Sequence, residues 1–115
     1  MTTNYQRGAT FERKVKADME KHGYIAVRSP ASKSPVDVYC WRHGQLVCIQ
    51  CKTDGRLAPD EWNEFFEYCE PVWAVPIMAM KGARGTPIVY KRLLGRKEKR
   101  GKQPMEDWQP EGREQ

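Results

Sequence analysis

Apolar residues recur along this chain with two different periods. Phe11, Val15 and Met19 stand four apart, with Glu12, Arg13, Lys14, Lys16 and Lys21 on the other faces. That spacing predicts an amphipathic helix over residues 8–22, with Gly23 as its stop. Tyr24–Arg28 is β-branched and aromatic and predicts a strand. Val36–Trp41 and Gln45–Lys52 predict two more, joined through Arg42-His43-Gly44 as a hairpin. Leu46-Val47-Cys48-Ile49 is apolar on both faces, the pattern of a strand inside a sheet. Pro59 suits the first turn of a second helix, where Asp60 and Glu61 are favoured by the helix dipole. Trp62, Phe65, Phe66 and Cys69 give that helix its apolar face, and Val72–Met80 and Ile88–Leu93 predict two further strands around a Gly82–Gly85 turn. The expected order is α-β-β-β-α-β-β. From Gly95 onward the chain is charged and poor in core residues, so the expectation is a domain over 1–94 and a flexible tail over 95–115.

Composition narrows the class. A chain of 115 residues accommodates one domain. No apolar run approaches the roughly 18 residues of a bilayer span, and the polar start, Met1–Gly8, lacks the apolar segment of a signal peptide. Four cysteines without a secretory signal predict free thiols in a reducing compartment, hence a cytoplasmic protein with no membrane partner. Cys48 and Cys51 form a CxxC pair that Cys40 and Cys69 could extend to four zinc ligands. Those two have no near partner, and strand alternation sends Cys48 and Cys51 to opposite faces, so buried thiols are the better account. His22 and His43 fall at a helix end and a turn and read as surface residues. Trp62, Phe65 and Phe66, with Trp41 and Trp73, read as core or subunit interface. Trp108, alone in a polar tail, reads as a docking residue.

Twenty Lys and Arg against fifteen Asp and Glu leave a net charge of +5. The excess is concentrated between Lys91 and Lys102, while Glu106, Asp107, Glu111 and Glu114 return acid. A basic balance points to an anionic partner, nucleic acid first. The Arg96–Lys102 run reads equally as a nucleic-acid patch or as a solvated segment.

One constellation carries chemistry. Asp37 begins a strand and Gln50-Cys51-Lys52 ends its hairpin partner, so a turn at Arg42–Gln45 brings the two ends together. Gln50 and Lys52 share a face. A carboxylate, an amide oxygen and an ammonium placed together suit phosphodiester hydrolysis. A hard divalent cation takes oxygen ligands and lowers the pKa of an attacking water, and a lysine can orient that water or stabilise the developing charge. Glu12 adds a second carboxylate if the first helix packs over this sheet edge. The residues also admit a plain structural reading, with Asp37 capping a loop and Lys52 leaving a strand for solvent.

The series Tyr5-Gln6-Arg7-Gly8, Phe11-Glu12-Arg13, Gly23-Tyr24, Val27-Arg28-Ser29, Ser32-Lys33-Ser34-Pro35-Val36-Asp37 and Ile49-Gln50-Cys51-Lys52 resembles the archaeal Holliday junction resolvases and their phage relatives, of the PD-(D/E)xK nuclease superfamily. The similarity runs in order over residues 4–80. It implies one restriction-endonuclease-like α/β domain, a mixed central sheet flanked by helices. It further implies metal-dependent cleavage of four-way DNA junctions by paired nicks from a homodimer, with Mg²⁺ (or Mn²⁺ in its place) and no small-molecule cofactor. Glu12 and Asp37 become the acidic metal-site residues and Lys52 the catalytic lysine, with Gln50 and the Cys51 carbonyl assisting. Arg13 and Arg28 become phosphate contacts, with Arg7 and Lys33 beside them, and the loop of Ser32, Lys33 and Ser34 lies near the DNA. Action would be in the cytoplasm, that of the host if the chain is phage-encoded. The departure is Gln50, where the motif has Glu or Asp, which removes one negative charge from the metal site. An endonuclease acting more broadly on flaps, nicks or duplex, and a non-catalytic DNA-binding protein on the same scaffold, are the alternatives.

Overall fold

The computed structural model describes residues 4–29, 34–98 and 103–110. Helix α1 (Asn4–Lys21) is followed by strands β1 (Ile25–Arg28), β2 (Val38–Arg42) and β3 (Gln45–Cys51). Helix α2 (Pro59–Cys69), a 3₁₀ turn (Glu70–Val72), and strands β4 (Val75–Met80), β5 (Val89–Leu93) and β6 (Met105–Trp108) complete the chain. The six strands lie in sequence order in one sheet. Neighbours are antiparallel except β3 and β4, which run parallel because α2 carries the chain across between them.

Each face of the sheet carries one helix. Phe11, Val15 and Met19 of α1 pack on Ala26, Val38, Cys40, Val47, Ile49 and Ile77. Trp62, Phe65 and Cys69 of α2 pack on Cys48, Met78 and Leu93, with Val36 and Leu57 closing the rim. Val47, Cys48 and Ile49 therefore serve the two cores in turn, as a strand period of two requires. Burying a side chain such as Phe65 contributes about 1.5–3 kcal/mol.

Local chemistry sets the joints. Gly23, at φ 88°, ends α1, and the Tyr24 N–H returns to the Met19 carbonyl at 3.2 Å. The β2–β3 turn holds His43 at φ 52° and Gly44 at φ 75°, the pair of positive values that a two-residue hairpin turn demands. Because Arg42 then pairs with Gln45, the register places Val38 opposite Ile49.

Two expectations are corrected and one is narrowed. The strand expected from Val72 begins at Val75, because Pro71 lies in the 3₁₀ turn and Trp73 adopts φ 60°. That turn throws Trp73 outward, 91% exposed, and Trp41 is 40% exposed, so of the two roles expected for them, core or subunit interface, the first is excluded. The tail is the largest departure. Residues 105–108 form β6, which pairs Tyr90 with Trp108, Lys91 with Asp107, Arg92 with Glu106 and Leu93 with Met105. Lys91 and Arg92 thus stand opposite Asp107 and Glu106 across two strands, where opposite charges attract. Lys91 forms an ion pair with Asp107, and Trp108 meets Tyr90 edge to face at 5.9 Å. The link to β6 is also held. Trp62 Nε1 donates to the Gly95 carbonyl at 2.8 Å, Asn63 bonds the Lys97 backbone in both directions, and Arg96 pairs with Glu67. A boundary at residue 94 does not coincide with the end of the sheet. Residues 99–102 and 111–115, the rest of the expected tail, lie outside the described residues.

Candidate active site

The site forms where β1 and β2 meet the end of β3, under the first half of α1. The ladder continues one step beyond the strands. The Asp37 N–H donates to the Ile49 carbonyl at 2.8 Å, and the Ser29 N–H donates to the Asp37 carbonyl at 2.8 Å. With its backbone held on both sides, Asp37 turns its carboxylate to the β3 end, where Oδ2 accepts the Cys51 N–H at 2.8 Å. Lys52 is tied in turn to β4, its N–H donating to the Ala79 carbonyl at 2.9 Å.

Glu12 reaches the cluster from α1, one residue after the buried Phe11. Its Oε1 accepts from Arg28 at 3.1 Å, the two side chains being 23% and 31% exposed. Arg28 stands at the end of β1 opposite Val38, so the ion pair clips α1 to the sheet edge beside Asp37. Burial is the main influence on Asp37 and pushes its carboxyl above the usual range. The Cys51 N–H pulls it back, the Glu12 charge raises it, and Lys52 and Arg28 lower it. Those three side chains are therefore electrostatic neighbours of Asp37. Glu12 and Lys52 also line one open cleft of about 330 Å³, with Gly8, Phe11, Cys51, Thr53 and Asp54.

The expected grouping of Glu12, Asp37 and Lys52 thus appears in the structure. Gln50 alternates with Leu46 and Cys48, which pack on the α2 side, while Val47, Ile49 and Cys51 pack toward α1. Its Oε1 is buried, and among the described residues it has no hydrogen-bond partner, as is also true of Arg28 Nε. Arg13 is exposed on α1. Ser34 turns inward, accepting the Val36 N–H at 3.2 Å and meeting the Tyr39 hydroxyl at 3.0 Å, and Tyr39 meets Tyr68 at 2.8 Å. The Arg7 side chain, Ser32 and Lys33 lie outside the described residues.

Among the described residues, no three His, Cys, Asp or Glu side chains converge as a metal site. A zinc centre has no support here. Cys48 and Cys69 share the α2 core, whereas Cys40 and Cys51 face α1, and burial pushes the Cys40 thiol up to about 12. A magnesium site asks for less, one or two carboxylates with water and phosphate completing the shell. Two neighbouring carboxylates, Glu12 and the desolvated Asp37, fit such an ion. Sequence reasoning missed Glu61, whose Oε2 accepts from Lys52 Nζ at 3.4 Å. Its position in the first turn of α2 was legible, but no spacing rule joins it to residue 52.

A helix on each face of a mixed sheet, with two carboxylates and a lysine at the β2–β3 end, is the arrangement of a restriction-endonuclease-like α/β domain. The family model for the archaeal Holliday junction resolvase (Hjc) matches residues 3–103, and this chain belongs to that family. A curated relative, the crossover junction endodeoxyribonuclease Hjc of Methanocaldococcus jannaschii, is 29% identical over 85 residues. That match spans 70% of this chain and 63% of the relative, less than two thirds of its length. The solved Hjc of Archaeoglobus fulgidus, a Holliday junction resolvase from an archaeal hyperthermophile, shares the fold with a TM-score of 0.67 at 22% identity, over 88% of this chain and 84% of that one. No helix among the described residues is long and apolar enough to cross a membrane.

Proposed function

We propose that this chain is a structure-selective DNA endonuclease that resolves four-way junctions by divalent-metal-dependent phosphodiester hydrolysis. The observation that carries the reading is Asp37, a desolvated carboxylate fixed across two strands and ringed by Glu12, Lys52 and Arg28. A perturbed carboxylate with a lysine as its electrostatic neighbour is a mark of catalytic sites, and the chain lies in a resolvase family. Glu12 and Asp37 would hold Mg²⁺, or Mn²⁺ in its place, with the Gln50 and Cys51 carbonyl oxygens assisting. Such an ion supplies charge neutralisation at the phosphate and a more acidic water.

The protein's own groups do the remainder. The Lys52 ammonium orients the attacking water and balances charge as it builds on the phosphate. Arg28, held by Glu12, faces the same end of the sheet and contacts phosphate together with Arg7, Arg13 and Lys33, fixing position without reading sequence. Ser32 is assigned to the same contact, whereas Ser34 is engaged with Val36 and Tyr39. Paired nicks need two such sites, which a twofold dimer provides. Ile25, Val27 and Trp41, apolar and exposed on one face of β1 and β2, are consistent with a subunit contact.

The test is incubation of wild type and Lys52→Ala with a synthetic four-way junction, a flap and linear duplex, with and without Mg²⁺. Junction cleavage that needs Mg²⁺ and falls about 10²–10³-fold in Lys52→Ala, at unchanged junction affinity, is expected. Equal cutting of duplex would point to a broader endonuclease, and binding without cleavage to a DNA-binding protein. Lys52→Ala cutting at the wild-type rate would refute the site.

A further inference from the structure

The two carboxylates of the site, Asp37 and Glu12, are hydrogen-bonded to groups other than Lys52. Asp37 Oδ2 accepts the Cys51 N–H, and Glu12 Oε1 accepts Arg28. Gln50, two residues before Lys52 near the end of β3, carries no charge to hold an ammonium. Among the described residues, the side chain that hydrogen-bonds Lys52 Nζ is Glu61, at 3.4 Å. This contact crosses from the end of β3 to the first turn of α2, and both backbones are anchored independently. Lys52 is clamped by the Ala79 carbonyl, and the turn behind it is closed by the Gly55 N–H on the Lys52 carbonyl at 2.8 Å. Glu61 sits between Pro59, which starts α2, and Trp62, which is fully buried and hydrogen-bonded to the Gly95 carbonyl. Leu57, also buried, fixes the approach to the helix. A long lysine side chain leaving a strand end otherwise samples many rotamers, and each is a misplaced ammonium.

We propose that Glu61 is a positioning residue for Lys52: its carboxylate holds the ammonium over the site from outside the strand pair that carries Asp37 and Gln50. This rests on the nuclease reading above. Glu61 does not touch the reacting phosphate, and it acts through Lys52 alone. The pair is partly exposed, 29% and 49%, so its contribution to stability is small. Its effect belongs to the rate.

The experiment is a double-mutant cycle read by single-turnover junction cleavage at saturating enzyme and Mg²⁺. Glu61→Gln should slow cleavage about 10- to 100-fold in the wild-type background. Glu61→Asp should retain more activity than Glu61→Gln, and Glu61→Lys less. In the Lys52→Ala background Glu61→Gln should change nothing further, because the group it positions is gone. Junction affinity and melting temperature should stay at wild-type values throughout. Independent, multiplying losses in the double variant would overturn the assignment, as would a rate in Glu61→Gln equal to or above wild type. Failure of the nuclease reading looks different, since Lys52→Ala would then cut as fast as wild type whatever stands at residue 61.

Discussion

Asp37→Asn separates stability from activity. The carboxyl of Asp37 lies above its ordinary value of 3.8, with burial as the main cause and the Glu12 charge adding to it. A group with a raised folded pKa binds more protons in the folded chain than in the unfolded one. Its ionisation therefore removes stability as pH rises from the unfolded value through the folded one, and the loss is complete above the folded value. Asparagine deletes the charge while its amide oxygen still accepts the Cys51 N–H. Each pK unit of difference is worth about 1.4 kcal/mol. An unfolding entropy of about 2.1 cal/mol/K per residue gives a chain of this size about 0.24 kcal/mol/K, so each unit moves Tm by about 6 °C. Asp37→Asn should melt higher than wild type at pH 7 in EDTA, and the gap should close as pH falls toward 4 and the wild-type carboxyl takes up its proton. Mg²⁺ should raise the wild-type Tm and move the variant far less, because an ion bound to the folded state stabilises it by mass action. Junction cleavage by the variant should be lost. The assay is thermal unfolding by circular dichroism across pH with and without Mg²⁺, paired with a cleavage time course. A variant that melts below wild type at pH 7 in EDTA, or a gap that does not change with pH, would refute the reasoning.

Other tests bear on how the site is held. Tyr90→Phe removes the hydroxyl that donates to Asp18 Oδ2 at 2.6 Å and ties α1 to β5. A hydrogen bond to a charged partner is worth about 1.5–3 kcal/mol, so calorimetry should show Tm falling by several degrees, and an unchanged Tm would mean the contact carries no load. Trp108→Ala removes the edge-to-face partner of Tyr90, worth about 0.5–1.5 kcal/mol beyond the area it covers. Amide exchange should quicken across β5 and β6, whereas unaltered protection there would show that β6 does not depend on this ring.

The period of the apolar residues already determined most of the fold. Spacing by four in Phe11, Val15 and Met19 set α1 and its buried face, and the double-sided run Val47-Cys48-Ile49 placed β3 inside the sheet. These features were legible because each residue is buried by its own element's geometry. The pairing of Asp37 with the end of β3 was legible for a similar reason, since a short turn at His43-Gly44 leaves one register. Other features needed the folded chain. Polar Asn4–Arg7 carry no periodic signal, so the first turn of α1 was missed. Residues 105–108 read as tail because their partners, Tyr90 to Leu93, lie far away in sequence, and charges that cancel across two strands look like solvated charges along one. Trp73 reads as core or subunit interface by composition, and only the left-handed backbone behind Pro71, which aims it at solvent, excludes the core. The Glu12–Arg28 clip and the Lys52–Glu61 contact likewise depend on where α1 and α2 settle on the sheet. Hydrophobic burial decides that placement, and the charged side chains follow wherever the helices come to rest.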